Sequence, residues 1–228
     1  MMLVFDIETV GVDFDTLSES QQEFILRYAE KETDEELKAK KIDEAIRYLS
    51  LYPLTAKVVA IGMLNTETEN SMVMFESNEK KEWESEESGI KYCSYPEGEM
   101  LENFWRYVSN VESVITFNGR NFDIPFVMMR SAMLQIKPTR DFISKRYNNK
   151  SHIDLLDKFT YYGLTKKFNL DFYCNAFGID SPKSHGVSGM DVKELYKAGK
   201  IEEIATYCAR DVKATYRLYK IWDEYLNL

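Results

Sequence analysis

The chain has 228 residues, of which 44% are hydrophobic and 29% charged, and its formal net charge is −9. This composition is typical of a soluble globular protein, and the acidic balance argues against broad electrostatic wrapping of nucleic acid. An enzyme that grips a short strand end through metal ions stays compatible with that charge. No apolar run reaches the roughly 18 residues of a membrane helix. Because the N-terminus lacks a basic segment followed by an apolar core and a cleavage site, we expect no secretory signal. The chain has three scattered cysteines, Cys93, Cys174 and Cys208, which fit a reducing cytoplasm and lack the spacing of a zinc site. We therefore expect a cytoplasmic protein without a membrane partner.

The first predicted strand carries a pair of acids. The segment MLVFDIET at 2–9 is an apolar run that leads into Asp6 and Glu8. Residues two apart on a strand point to the same face, so the carboxylates would stand side by side at the end of a buried strand. Like charges this close resist ionising together unless a cation neutralises them, and Mg²⁺ and Mn²⁺ prefer oxygen ligands. The pair indicates either a divalent-metal site or a strand that runs into a polar loop.

A charged and mostly acidic stretch at 13–52 follows this strand. Apolar side chains recur in it at helical spacing, which predicts two amphipathic helices inserted between the first two strands. Such an insertion is either a solvated flap without a catalytic role or a lid or partner-binding surface. Beyond it the patterns predict, in chain order, a strand at 57–64, a strand at 70–75, a loop at 76–99, a helix at 100–108 and a strand at 113–117.

The last of these strands runs into a second polar motif, FNGRNFDIPF at 117–126. Asn118 and Gly119 indicate a sharp turn where the strand ends. Asp123 then stands at the N-cap or in the first turn of a helix that tolerates Pro125 near its start. On these residues alone, Asp123 is either a helix cap or a ligand, and Asn118 is either a turn residue or a ligand.

A locally basic strip at 137–150 contrasts with the acidic balance of the whole chain. Its cations include Arg140, Lys145 and Arg146, and aromatic residues are interleaved with them. Basic groups can contact phosphates while aromatic rings stack on bases, which suits a single strand of nucleic acid. The strip is therefore either a substrate track or a solvated loop.

The segment HIDLLDKF at 152–159 predicts a short edge strand or a helix. Within it, Asp154 is a candidate helix cap or an indirect support for a metal site. Further on, the patterns predict a helix at 170–177 and, because Pro, Ser and Gly dominate, a loop at 181–189.

A long helical pattern at 200–226 closes the chain and contains the sequence YCARD. Tyr207 and Asp211 are four residues apart, so they project from the same side of the helix one turn apart. By itself the pair is either a tyrosine packed beside a solvated acid or part of a functional site.

Taken together, these motifs resemble the DEDD superfamily of 3′-5′ exonucleases, in the subgroup that carries a tyrosine. The FDIET segment resembles the first motif of that superfamily, Asn118 with Phe122 and Asp123 resembles the second, and YCARDV resembles the third. The chain looks most similar to the proofreading exonuclease domains of family B DNA polymerases and to the stand-alone bacterial proteins similar to them. The segments HIDLL, SPK and HGVSG also look like that stand-alone group. The resemblance runs nearly end to end.

This resemblance implies an α/β protein with an RNase H-like fold, a mixed five-stranded sheet flanked by helices. The predicted order of strands and helices agrees with it. We expect a single exonuclease-like domain over 1–228, with a helical acidic insertion at about 13–52 that is longer than in a minimal domain of this kind. No polymerase segment follows Leu228, so we expect a stand-alone enzyme.

The resemblance also implies roles for individual residues. Two divalent metal ions, Mg²⁺ or Mn²⁺, would be held by the carboxylates, with Asp123 joining directly or through water, and would stabilise charge on the attacking and leaving oxygens. The tyrosine would orient the attacking water, because a phenol pKa near 10 disfavours full deprotonation. The expected residues are Asp6, Glu8, Asp123 and Asp211 for metal and catalysis, Tyr207 for water, and Asn118, Phe122, Arg140, Lys145 and Arg146 for substrate.

The expected reaction is hydrolysis of phosphodiester bonds from the 3′ end of single-stranded or frayed DNA. Three other interpretations stay open at this point. The chain could process RNA 3′ ends, as in the RNase D group, because nothing in the sequence reports a contact to the 2′-hydroxyl. It could be a non-catalytic RNase H-like binding module, although clustered buried acids are costly without a partner. It could also be an adaptor that recruits a protein partner through the acidic helices.

Overall fold

The computed structural model describes residues 1–143, 151–182, 186, 189 and 191–227. Within them a mixed sheet is flanked by helices on both faces, as the predicted α/β class requires. The strands are β1 (Met2–Gly11), β2 (Ala56–Asn65), β3 (Ser71–Glu76), β4 (Glu82–Glu84), β5 (Lys91–Tyr95), β6 (Ser113–Thr116) and β7 (His152–Asp154). The α-helices are α1 (Glu19–Leu26), α2 (Glu35–Arg47), α3 (Glu97–Ser109), α4 (Asp123–Met133), α5 (Leu155–Phe159), α6 (Leu170–Ala176), α7 (Val192–Lys197) and α8 (Ile201–Tyr225).

The strands lie in the order β4-β5-β3-β2-β1-β6-β7. Strands β1, β2 and β3 form an antiparallel meander, and β6 and β7 add parallel strands beside β1. Within the described residues, the sheet has seven strands rather than the five expected, because 76–99, predicted as a loop, contains β4 and β5. Both are short strands at one edge of the sheet, and charged residues such as Glu82, Glu84 and Lys91 mask the alternation that would reveal them.

The two faces of β1 belong to different parts of the core. Leu3, Phe5 and Ile7 pack with side chains of α3 and α4, whereas Val4 and Val10 pack on the face that α8 covers. Since alternate residues of a strand point to opposite faces, Asp6 and Glu8 lie on the α8 side. This alternation decides which helix can complete a site with the two acids.

The first strand is longer than its sequence pattern predicts. The acids were expected at its end, but β1 continues through Thr9 and Val10 to Gly11, so they lie within the strand. Thr9, Val10 and Gly11 continue the pairing with β2, and the side chains of Thr9 and Val10 are buried. A register shift between Glu8 and Thr9 marks a bulge next to Glu8, an irregularity that often re-aims side chains near functional sites.

The expected pair of insertion helices is confirmed as α1 and α2, with 3₁₀ turns at Phe14–Thr16, Ala29–Lys31 and Tyr48–Leu51. The Asp34 side chain caps α2 by accepting a hydrogen bond from the Leu37 N–H at 2.8 Å. In the part of the chain that the structure describes, no helix combines the length and apolar character needed to cross a membrane.

Candidate active site

The acidic pair on β1 forms the floor of the candidate site. As predicted from strand periodicity, Asp6 and Glu8 project from the same face, and Cys208 of α8 approaches them there. One ligand atom from each of these three residues lies within 4.8 Å of the others. These donor atoms come from two elements that are about two hundred residues apart in the chain. The Cys208 thiol also donates a hydrogen bond to the Asp6 carbonyl oxygen at 3.6 Å, which holds the two elements together.

The third acid, Asp123, can reach the edge of β1 because β6 is short. β6 pairs with β1 only from Met2 to Val4, so the edge of β1 is open beyond that point. Asp123, the first residue of α4, occupies this opening, and its Oδ1 accepts a hydrogen bond from the Ile7 N–H at 3.1 Å. Of the two positions expected for Asp123, the N-cap or the first turn, the structure shows the first turn, with Phe122 as the N-cap. The carboxylate thus takes the place that a neighbouring strand would otherwise fill.

Helix α8 supplies Asp211 and Tyr207 from the other side. Both side chains are buried, and the expected one-turn spacing puts them on the face that covers the sheet. A close approach between α8 and β2 makes this possible, because a Cβ on Gly62 would lie 2.7 Å from Val212 Cγ2 and 3.0 Å from Cys208 Sγ. Gly62 is the partner of Asp6 in the β1–β2 register. The missing side chain therefore lets the helix settle beside the acidic pair.

Burial and mutual repulsion control the charge of the cluster. Burial, followed by the neighbouring acids, raises the pKa values of Asp6 and Glu8 well above their ordinary range. Burial also raises the pKa of Asp123 to about 7, although backbone hydrogen bonds, including that from Ile7, oppose the shift. Without a cation these acids resist ionising together at neutral pH.

The donor set fits a hard divalent cation. Clustered carboxylate oxygens suit Mg²⁺ or Mn²⁺, whose charge would relieve the repulsion. The soft donor in the cluster, Cys208, has a pKa raised well above its ordinary value by burial and by the nearby acids. A thiol is also a soft donor, which hard cations such as Mg²⁺ and Mn²⁺ do not prefer.

The Tyr207 hydroxyl lies within this field of acids. Burial comes first and Asp211, Glu8 and Asp6 follow in raising the pKa of Tyr207 far above that of a free phenol. A hydrogen bond between the Tyr207 hydroxyl and Asp211 acts in the same direction. The phenol therefore stays protonated at neutral pH, which suits a group that orients a water and not one that removes its proton.

A buried polar layer beneath the second motif holds it in place. The Asp154 carboxylate accepts hydrogen bonds from the N–H groups of Asn118, Arg120 and Leu156 at 3.0, 2.9 and 2.9 Å. It thereby caps α5, one of its two predicted roles, and also fixes the turn before Asp123. In that turn Asn118 adopts the left-handed region at φ 65°, a conformation that asparagine tolerates.

Comparison with known proteins shows which family carries these motifs. A family described as "Predicted 3′-5′ exonuclease related to the exonuclease domain of PolB" matches residues 51–223. This chain belongs to that PolB-related exonuclease family. The DEDD-type, proofreading-exonuclease-like domain expected from the motifs is thereby confirmed.

Relatives of this family member include large polymerases. DNA polymerase 1 of Saccharolobus solfataricus is 24% identical over 170 residues, which cover 71% of this chain and 19% of the relative. DNA polymerase 1 of Sulfurisphaera ohwakuensis is 26% identical over 129 residues, covering 54% of this chain and 15% of the relative. The chain thus spans less than a fifth of the length of these curated relatives.

A solved family B DNA polymerase from Pyrobaculum calidifontis shares the fold of this family member. The two structures superpose with a TM-score of 0.61 at 16% identity, over 97% of this chain and 24% of the polymerase. The expected RNase H-like fold is therefore confirmed, with the additional edge strands described above.

The predicted substrate residues do not all lie together in this PolB-related protein. Phe122 is half-buried and lines a cavity with Glu8, and Asn118 lies in the turn before it. The Arg140 guanidinium instead donates to the carbonyl oxygens of Val111 and Glu112, which precede β6 at the opposite end of the sheet from the acids. Lys145 and Arg146 lie outside the described residues. The predicted basic track therefore gains no support from Arg140.

The cavity beside Glu8 also contains residues that sequence patterns did not single out. It has a volume of about 650 Å³, and its lining includes Arg47 and Tyr48 of the insertion and Lys193 of α7. The charged, helical character of 13–52 was visible in the sequence, but no periodic signal places the end of α2 beside β1. Only the return of the chain from α2 into β2 brings these side chains to the acids.

Proposed function

We propose that this chain is a metal-dependent 3′-5′ exonuclease that removes nucleotides from the 3′ end of single-stranded or frayed DNA. The observation that carries the proposal is the convergence of acids from β1, α4 and α8 beside the buried side chain of Tyr207. Membership of the PolB-related family supports the reaction class. The curated relatives are named as DNA polymerases, which favours DNA as the substrate.

The side chains of the cluster divide into binding and positioning roles. Asp6, Glu8 and Asp211 would hold two divalent cations, Mg²⁺ or Mn²⁺, with Asp123 binding directly or through water. When bound, such ions stabilise the charge that develops on the attacking and leaving oxygens of a phosphodiester. The Tyr207 hydroxyl orients the attacking water, and its raised pKa keeps the proton on the phenol during this role. Asn118 and Phe122 would contact the terminal nucleotide.

The proposed preference for single-stranded DNA follows from the limited access to the acids. Glu8, Asp123 and Asp211 are buried and Asp6 is half-buried, so a duplex end would have to fray before its last phosphodiester could reach them. The net charge of −9 disfavours wide electrostatic contact, so we expect weak and distributive binding to DNA.

Incubation with labelled oligonucleotides tests this function. With 5′-labelled single-stranded DNA and Mg²⁺ or Mn²⁺, we expect a ladder of products that shortens by one nucleotide at a time, and no products in chelator. Blunt duplex DNA should be cut more slowly, and the Asp6→Asn variant should be inactive while it stays folded.

Matched RNA serves as the second arm of this experiment. Faster cleavage of RNA than of DNA would favour an RNA-processing enzyme of the same superfamily. Cleavage in chelator, or by the Asp6→Asn variant, would refute the metal assignment, and metal binding without turnover on any nucleic acid would favour a binding module.

A further inference from the structure

The acidic insertion forms part of the cleft that opens on the candidate active site. The cavity of about 650 Å³ beside Glu8 takes its lining from β1, from the end of α2 with the 3₁₀ turn that follows it, and from α7. Phe122 of the second motif lines the same cavity. A segment that could have been a detached flap therefore adjoins the acids directly.

This part of the insertion is anchored to the strand that carries the acids. The Thr9 hydroxyl donates to the Ser50 carbonyl oxygen at 2.7 Å, and Leu49 is only 2% exposed. A Cβ on Gly11 would lie 2.9 Å from the Ser50 backbone nitrogen, so strand and insertion are in close contact. Because Arg47 and Tyr48 immediately precede these contacts, their backbone is fixed relative to β1.

The charges around the cavity indicate what it could hold. Its cations are Arg47 and Lys193, and within the described ranges neither forms an ion pair with another residue. Its other charged residues are the acids Glu8, Asp43 and Glu194. A phosphodiester strand is repelled by a cluster of carboxylates unless cations lie nearby. Without Arg47 and Lys193, all the charged side chains of this lining would be acidic.

An aromatic side chain accompanies the first of these cations. The Tyr48 side chain is 38% exposed, and the Arg47 guanidinium lies 5.5 Å from the centre of its ring. The Tyr48 hydroxyl donates to Glu44 Oε1 at 2.6 Å, which restricts the orientation of the ring. An exposed ring beside a cation is the combination that binds single strands, with stacking on bases and charge on phosphates.

We infer that the insertion is a wall of the substrate cleft, where Arg47 and Lys193 contact phosphates of the entering strand and Tyr48 stacks on a base near its 3′ end. The inference rests on the proposed exonuclease function and adds its strand-binding residues. It assigns to the end of α2 the role that the basic strip at 137–150 was expected to have.

The test separates strand binding from chemistry by using two substrates. One is a single-stranded DNA oligonucleotide, and the other is the p-nitrophenyl ester of thymidine 5′-monophosphate, which offers a phosphodiester without a strand. The variants are Arg47→Ala, Lys193→Ala, the double variant and Tyr48→Ala. The matched control is Lys40→Ala, which removes a cation of the same helix that pairs with Glu36 at 2.6 Å and does not line the cavity.

We expect the double variant to raise KM for the oligonucleotide by on the order of tenfold, because each exposed ionic contact contributes up to roughly fivefold. Its kcat should stay near wild type. The slope of log affinity against log salt should fall by about 1.4, which corresponds to two phosphate contacts on a single strand. Tyr48→Ala should raise KM without changing that slope, since stacking is uncharged. Lys40→Ala should behave as wild type, and all variants should hydrolyse the small ester at the wild-type rate.

The outcomes distinguish this inference from the proposed function. If the wild-type protein cleaves neither substrate, the proposed function fails and the inference fails with it. If it cleaves DNA and the double variant keeps the wild-type KM and salt slope, the inference alone is overturned. An equal loss of ester hydrolysis in the double variant would also overturn it, because the substitutions would then act on the acids or the fold. Thermal unfolding of each variant identifies a folding defect.

Discussion

At the residue scale, the chemistry of the candidate site depends on what burial does to Tyr207. A free phenol is a weak acid, and the surrounding carboxylates together with burial raise the pKa of Tyr207 further. The residue therefore has a hydroxyl with a firmly held proton, next to acids whose own pKa values are raised. That combination favours an oriented hydrogen bond to the attacking water over general-base catalysis.

The substitution Tyr207→Phe tests this role. It keeps the ring and removes only the hydroxyl, so we expect turnover to fall by about 10²–10⁴-fold, the range for a lost proton-handling or water-positioning group. Affinity for metal and DNA should stay nearly unchanged, and the free energy of unfolding should change by no more than about 1 kcal/mol, the scale of one hydrogen bond. Single-turnover kinetics with saturating enzyme would measure the chemical step.

Tyr216→Phe is the matched control for that experiment. Tyr216 lies on the same helix, and its hydroxyl bonds Glu69 at 2.9 Å, away from the acidic cluster. It should therefore retain the wild-type rate. A Tyr207→Phe protein as fast as this control would give Tyr207 a packing role only.

At the element scale, the site depends on how closely α8 lies against β2. Tyr207 and Asp211 reach the acids of β1 only because Gly62 leaves room for Cys208 and Val212. A helix one side chain further from the sheet would carry both functional groups away from the cluster. The close contact of the two elements is thus a requirement of the site as well as of the core.

The substitution Gly62→Ala should therefore reduce both stability and turnover. The added methyl would lie 2.7 Å from Val212 Cγ2, so this side chain or the helix that carries it must shift, and overpacking of this kind costs about 1–3 kcal/mol. We expect turnover to fall even at temperatures where the variant is fully folded, as judged by circular dichroism. Gly98→Ala is the control, because its methyl would approach only Ile136 Cδ1, at 3.9 Å. Wild-type turnover in folded Gly62→Ala would show that the position of α8 tolerates this shift.

At the scale of the whole molecule, the acidic cluster links folding to pH and to metal. The pKa of Asp123 is raised to about 7, and those of Asp6 and Glu8 are also raised. Above about pH 4 the unfolded chain releases protons that the folded protein retains. The metal-free protein therefore loses stability as pH rises from about 4 to 7 and stays less stable above that range.

Thermal unfolding between pH 5 and pH 8 tests this linkage. In chelator, Tm should fall with increasing pH, and Asp123 alone corresponds to a loss of roughly 3 kcal/mol between pH 5 and its raised pKa of about 7, at 1.36 kcal/mol per pKa unit. Mg²⁺ or Mn²⁺ should raise Tm more at pH 8 than at pH 5, because the ions bind ionised carboxylates. Asp123→Asn should reduce the pH dependence in chelator without abolishing it, because the pKa values of Asp6 and Glu8 are also raised. A metal-free Tm that rises over this interval would contradict the raised pKa values.

The local periodicities of the chain were enough to predict several relations correctly. Alternation on a strand placed Asp6 and Glu8 on one face, and the helical repeat placed Tyr207 one turn from Asp211. The turn residues before Asp123 predicted its position at the start of a helix. Each of these relations depends on residues a few positions apart, whose geometry the backbone conformation determines.

The tertiary structure alone decided the relations between distant segments. Strands β4 and β5 form by pairing at the edge of the sheet, although their charged sequences do not alternate clearly. Arg140 binds backbone carbonyls far from the acids, while Arg47 lies at the cleft because the insertion returns to β1. The raised pKa values likewise require acids from three elements to be buried together. Such relations depend on packing between segments far apart in the chain, which a local pattern does not encode.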